Sequence, residues 1–121
     1  MANQLAHPTE IRLRKSAGVL AVMFASGEKF ELPFEYLRVF SPSAEVSGHG
    51  PGQEILQIGK ENVKITGVEP VGSYAVRLIF DDGHNTGLYS WPVLYDLGMN
   101  YQANWERYLK RLKDAGYQRK D

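Results

Sequence analysis

The side chains with the widest chemical reach in this sequence are its three histidines, because imidazole can move protons near neutral pH or ligate a metal. His84 follows Asp81, Asp82 and Gly83. Asp82 and His84, joined by His49 from a separate loop, could make a weak, open site for iron or zinc. Its affinity would be modest and pH-sensitive, since the chain has no cysteine to supply a thiolate. The competing reading of His84 is a polar residue at the tip of the Asp82-Gly83 turn. For His49 it is a side chain bonding local backbone in a loop rich in glycine and proline. His7 falls in a tail and is read as incidental.

No complete catalytic constellation is legible. A two-histidine, one-carboxylate iron site usually begins with His-x-Asp or His-x-Glu, but Thr9, Pro51 and Thr86 stand two positions after the three histidines. Gly48-His49-Gly50-Pro51-Gly52 lacks the Lys-Ser/Thr of a phosphate loop. Ser41, Ser43, Ser47, Ser73 and Ser90 lack a Gly-x-Ser-x-Gly setting, so a serine hydrolase has no motif support. Tyr36, Phe40, Tyr89, Trp91 and Tyr95 are either core residues or half-exposed aromatic anchors for a protein partner.

Fourteen basic residues balance fourteen acidic ones among 121, which removes the broad positive field expected of a nucleic-acid or anionic-membrane binder. A chain of this length buries roughly two-thirds of its unfolded surface around one core. Met1 to Thr9 shows no basic segment followed by an apolar one, and the longest apolar run, Ala17 to Ala25, is interrupted by Gly18. A cytoplasmic protein of bacterial type is expected.

The elements that must position these residues read as α+β. Ile11 and Leu13 alternate with charged residues, Val19 to Phe24 is apolar and β-branched, and Phe30 and Leu32 alternate again, predicting a three-stranded antiparallel meander. A short helix should follow Pro33 and end near Phe40. Ser41 to Gly59 reads as one long loop. A second antiparallel unit is predicted from Val63 to Tyr89, with its first turn at Pro70-Val71-Gly72-Ser73, a hairpin at Asp82-Gly83 and a strand over Thr86 to Tyr89. Trp91 to Leu97 is predicted helical with Gly98 as its stop. An amphipathic C-terminal helix is capped by Asn104 and ended by Gly116. Residues 1–9 are expected as a flexible tail, 10–117 as one domain and 118–121 as a C-terminal tail.

Two stretches carry a resemblance. Tyr36-Leu37-Arg38 with Ser41-Pro42-Ser43-Ala44-Glu45-Val46 and Gly48-His49-Gly50-Pro51-Gly52, and later Phe80-Asp81-Asp82-Gly83-His84-Asn85-Thr86-Gly87-Leu88-Tyr89-Ser90-Trp91, resemble the gamma-butyrobetaine hydroxylase-like N-terminal domain family. In the eukaryotic oxygenases of that group the domain precedes a catalytic domain dependent on iron and 2-oxoglutarate, and it holds a structural zinc through three cysteines and a histidine. The resemblance puts those cysteines on Ser41, Ser43 and Val46 and the histidine on His84, so three of the four ligands are replaced here. Similar domains fused to P-loop ATPases that handle iron–sulfur clusters imply an accessory role. The expected function is therefore a non-catalytic protein-interaction or accessory domain. Its surface would be drawn from Arg38, Ser41, Ser43, Glu45, His49, Asp82, His84, Tyr89 and Trp91, with an unidentified protein as partner. The alternative is a weak iron or zinc protein, or an iron–sulfur accessory protein, using His49, Asp82 and His84.

Overall fold

The computed structural model describes residues 7–48 and 54–120. Strands β1 (Pro8–Arg14), β2 (Val19–Phe24) and β3 (Lys29–Pro33) form one antiparallel sheet in that order. Leu20, Val22 and Phe24 alternate inward from β2, and Leu20 pairs with the equally buried Leu32. β1 opens inside the stretch expected as a tail, at Pro8. The short helix α1 (Phe34–Val39) leaves β3 through Pro33, whose extended backbone occupies the N-cap position. All six residues of α1 are buried, which makes it an internal strut and not a surface helix.

The second sheet contains β4 (Ile65–Val71), β5 (Ala75–Phe80) and β6 (Leu88–Ser90), antiparallel and in that order. β4 continues through Pro70, where the sequence predicts the start of a turn. β4 is an edge strand of its sheet, where proline's missing N–H breaks no ladder bond. β5 and β6 are joined by residues 81–87, so Asp82-Gly83 opens a longer connection and not a two-residue hairpin. Between the sheets a turn of helix, α2 (Ala44–Ser47), interrupts the expected loop; the Ser43 hydroxyl accepts from the Glu45 N–H and caps it.

Helices α3 (Trp91–Met99) and α4 (Tyr101–Asp114) complete the chain. Gly98 lies inside α3 and does not end it. A Cβ there would overlap the Phe30 ring, so glycine serves close helix-to-sheet approach instead of termination. Asn104 likewise sits inside α4 and donates to the Tyr36 hydroxyl at 3.0 Å. Both sheets, α1 and α3 send side chains into one core that includes Leu20, Leu32, Leu37, Ile65, Leu78 and Leu94. A second cluster, Val39, Tyr108 and Leu112, seats α4. Past α4 the chain folds back, Arg119 and Lys120 of the expected tail included: Arg119 forks onto the buried Glu35, and Tyr117 and the Lys120 backbone N–H donate to Glu61 at 2.7 Å each. Among the described residues no helix is long and apolar enough to cross a membrane.

Candidate functional site

The end of α1, the Ser43 cap of α2 and the β5–β6 connection meet in one polar knot. Ser41 and His84, 43 positions apart, are both buried, with Ser41 Oγ 2.9 Å from His84 Nε2. On the other side of the ring, Nδ1 is 3.0 Å from Glu45 Oε1. An ionised carboxylate has no proton to give, so the Nδ1–H donates to Glu45 and Nε2 accepts from the Ser41 hydroxyl. Ser41 Oγ in turn accepts from the Ser43 N–H at 3.2 Å. Ser43 Oγ and Thr86 Oγ1, 2.7 Å apart, tie the same two segments again.

A second strand of the knot is ionic. Asp82 Oδ2 accepts from Arg38 Nε at 2.9 Å and from Lys60 Nζ at 2.7 Å, while Oδ1 accepts from the His84 N–H at 3.2 Å. Arg38, buried in α1, also donates to Gln57 Oε1 at 3.1 Å. Lys60 and Gln57 complete this arrangement but carry no motif, and only their spatial neighbours make them part of it. Tyr89 closes the floor, its hydroxyl donating to the Leu37 carbonyl at 2.6 Å.

Ser41, His84 and Glu45 thus stand in the order nucleophile, base and orienting carboxylate that acyl-transfer enzymes use, at hydrogen-bonding distances. Access is what differs. Ser41 is 2% exposed, and a carbon placed at the missing Cβ of Gly87 would lie 2.5 Å from its Oγ. The hydroxyl is covered by Gly87 on that side and committed to two hydrogen bonds on others, so no substrate carbonyl can approach it in this conformation.

Of the residues expected to form a binding surface, Arg38, Ser41, Ser43, His84 and Tyr89 are buried. They hold the two segments together from beneath and cannot face a partner. The outer layer is made by Glu45, whose side chain is 66% exposed, with Asp82 and the half-buried Trp91, whose indole N–H donates to the Ser73 carbonyl at 2.8 Å. His49 lies outside the described residues. Tyr36 is a core residue, while Phe40 and Tyr95 are half-buried against the core.

The positions to which the resemblance assigns a zinc offer two hydroxyls, an aliphatic side chain and one imidazole. Structural zinc takes thiolate and imidazole donors, so these residues do not fit it. Among the described residues no group of three His, Asp or Glu side chains is arranged to hold a metal; the His84 ring nitrogens are bonded to Ser41 and Glu45, and the Asp82 oxygens to Arg38, Lys60 and the His84 N–H.

Electrostatics follow from the same geometry. Burial lowers the affinity of His84 for a second proton, and the Arg38 charge lowers it further, outweighing Glu45. For Asp82, burial alone would raise the carboxyl, but hydrogen bonds from Lys60, the His84 backbone and Arg38 bring it down to about 2. Both groups have native values below their unfolded ones. Their contribution is therefore intact above the unfolded values and is lost as pH falls, first below about 6.5 for His84 and then between about 4 and 2 for Asp82. Urea unfolding followed across pH should show the Asp82→Asn variant losing about 1 kcal/mol at pH 7, after allowance for solvent screening, and converging on the parent near pH 2. A gap that stayed constant with pH would mean the carboxylate charge is not what Arg38 and Lys60 hold.

The fold and the knot can be set beside known proteins. The family model described as gamma-butyrobetaine hydroxylase-like, N-terminal, matches residues 11–95. A crystal structure from Acidithiobacillus ferrooxidans, of a protein of unknown function in the DUF971 family, is 42% identical. It covers 77% of this chain and 93% of its own, with a TM-score of 0.65. Two solution structures are 45% and 50% identical, covering 95% and 96% of this chain and 90% and 88% of their own, with TM-scores of 0.81 and 0.80. No curated protein matches.

Proposed function

The chain belongs to the gamma-butyrobetaine hydroxylase-like N-terminal family, and from that premise we propose that it works without catalysis, as a protein-interaction or accessory domain. The observation that carries this reading is the closure of the Ser41–His84–Glu45 relay. Residues that could react are spent on joining two segments, and the groups those segments turn outward are left to meet a partner. Glu45 keeps 66% of its side chain exposed while it bonds His84, and Leu88 begins the edge strand β6 with 44% of its surface exposed. An apolar side chain on an edge strand, close in sequence to a half-buried tryptophan, is the kind of group that anchors a protein interface. The balanced charge favours a protein over nucleic acid or a membrane surface.

Leu88→Asp tests the reading, because an exposed edge residue can change without disturbing the core. Quantitative capture of partners on immobilised protein should fall about tenfold, the loss expected for one interface anchor. Arg14→Glu, on the other sheet, should capture as the parent does. Equal capture by the parent, Leu88→Asp and Trp91→Ala, with amide spectra showing all three folded, would remove the proposed surface.

A further inference from the structure

Beside the Ser41 segment, and lined in part by Ser41 and Pro42, lies a groove of about 380 Å³ that the proposed protein interface does not use. Val39, Phe40, Val46 and Leu56 supply its apolar lining, and Arg107 and Arg111, one turn apart on α4, stand along one side. Apolar walls, interrupted by Ser41, Ser47, Glu54 and Gln57 and flanked by two arginines, enclose a volume at the small end of the range for small-molecule sites.

The charges say which end of a ligand goes where. Arg107 lies 5.7 Å over the Phe40 ring and has no carboxylate partner among the described residues. Arg111 donates to the Glu54 backbone carbonyl at 3.2 Å, which engages one of its five N–H groups and leaves its planar fork open to an anion. Glu54 also lines the groove and sets one formal negative charge against the two arginines, so a singly charged head is a better match than a phosphate ester. We infer that the groove between the Ser41 segment, residues 54–57 and α4 binds a small amphiphilic carboxylate, its apolar body on Phe40, Val46 and Leu56 and its head on Arg107 and Arg111. This goes beyond the interaction reading and stands or falls separately from it.

Octanoate, below its micellar range, is the direct probe, followed by amide chemical shifts of the full chain. Shifts should concentrate at Phe40, Val46, Leu56, Arg107 and Arg111, with a Kd of about 1 mM for a ligand of ten heavy atoms. Octylammonium, with the same tail, and acetate, with the same head, should each leave these amides unmoved at equal concentration. Arg107→Gln/Arg111→Gln should weaken octanoate about tenfold, while Arg77→Gln on the second sheet should not. Binding of octylammonium as tight as that of octanoate, or octanoate binding unchanged in the double glutamine variant, overturns the assignment. A capped Asp-Leu-Asp peptide is the remaining arm; if it moved the same amides at lower concentration than octanoate, the groove would be a peptide site and the small-molecule assignment would be wrong.

Discussion

Replacing Arg119 with alanine should destabilise the protein by about 3 kcal/mol, although the residue lies near the end of the sequence. The reason is Glu35. Its carboxylate is only 7% exposed, within a helix whose every residue is buried, and a charge in that position must be paired and hydrogen-bonded. Arg119 gives it two parallel bonds, Nε to Oε2 at 2.9 Å and a terminal nitrogen to Oε1 at 2.5 Å. Tyr108 gives a third at 2.7 Å, and burial together with the Glu35 charge pushes the Tyr108 phenol upward, keeping it a donor at any ordinary pH. The Arg119 guanidinium also lies 5.4 Å over the Trp105 ring, which holds it in place. With Arg119 gone, the carboxylate keeps the Tyr108 hydrogen bond and, among the described residues, no counter-charge. Arg119 itself is 28% exposed at the side chain, so the cost should fall at the lower end of the range for a broken buried pair. Urea unfolding midpoints would measure it. Adding Glu35→Gln to Arg119→Ala should recover about 1 kcal/mol or more, because a neutral amide needs no counter-charge and can still accept from Tyr108. If Arg119→Ala cost no more than an ordinary surface substitution and Glu35→Gln brought nothing back, the pair would be a surface contact and not the tie it is taken for.

That tie also marks where sequence reading stops. The alternation of Ile11 and Leu13, the run from Val19 to Phe24 and the spacing of Trp105, Tyr108 and Leu112 are local periods, and they place the first sheet and α4 without any tertiary knowledge. In the sequence Gly98 and Pro70 look like punctuation, and in the structure neither ends its element. Their roles depend on a neighbour, the Phe30 ring for one and an unpaired sheet edge for the other. Glu35 and Arg119 are 84 positions apart and share no motif, so neither can be recognised as half of a pair. For the knot, the family resemblance indicated that the Ser41 and His84 segments are neighbours, and they are. What spacing could not reveal is depth. Arg38, Ser41, Ser43, His84 and Tyr89 are polar or amphipathic residues, in a short helix, loops and a strand, of types that usually keep contact with solvent, and here a connected set of hydrogen bonds lets them be buried. Ser43 as a helix cap was within reach, since serine is a preferred N-cap and a glutamate in the first turn suits the helix dipole, but a helix of one turn leaves too short a period to register.

The depth of the knot leads to the second large effect. Gly87→Ala should cost about 2–3 kcal/mol, a loss due to packing alone. Gly87 is not among the glycines with positive φ, so alanine meets no backbone penalty there. Its Cβ would instead lie 2.5 Å from Ser41 Oγ, 3.2 Å from Tyr89 Cε1 and 3.5 Å from Pro42 Cδ. Ser41 cannot swing away cheaply, because its hydroxyl is held by His84 on one side and by the Ser43 N–H on the other, and Tyr89 is fixed by its bond to Leu37. Ser41→Ala alone should cost about 1–3 kcal/mol by leaving His84 Nε2 and the Ser43 N–H without a partner. In combination the two losses should overlap. With the oxygen removed the alanine methyl has room, and the double variant should be more stable than the sum of the single costs predicts by about 1 kcal/mol or more. Unfolding midpoints of the four proteins give the coupling directly. Simple additivity would mean that Gly87 does not press on the Ser41 hydroxyl, and the argument that this hydroxyl is closed to substrates would lose its main physical support. A clear coupling would instead show that the contact which shuts the relay is also one that stabilises the fold. A chain built in this way cannot open Ser41 for chemistry without giving up stability, and that is the physical sense in which its motif residues serve structure.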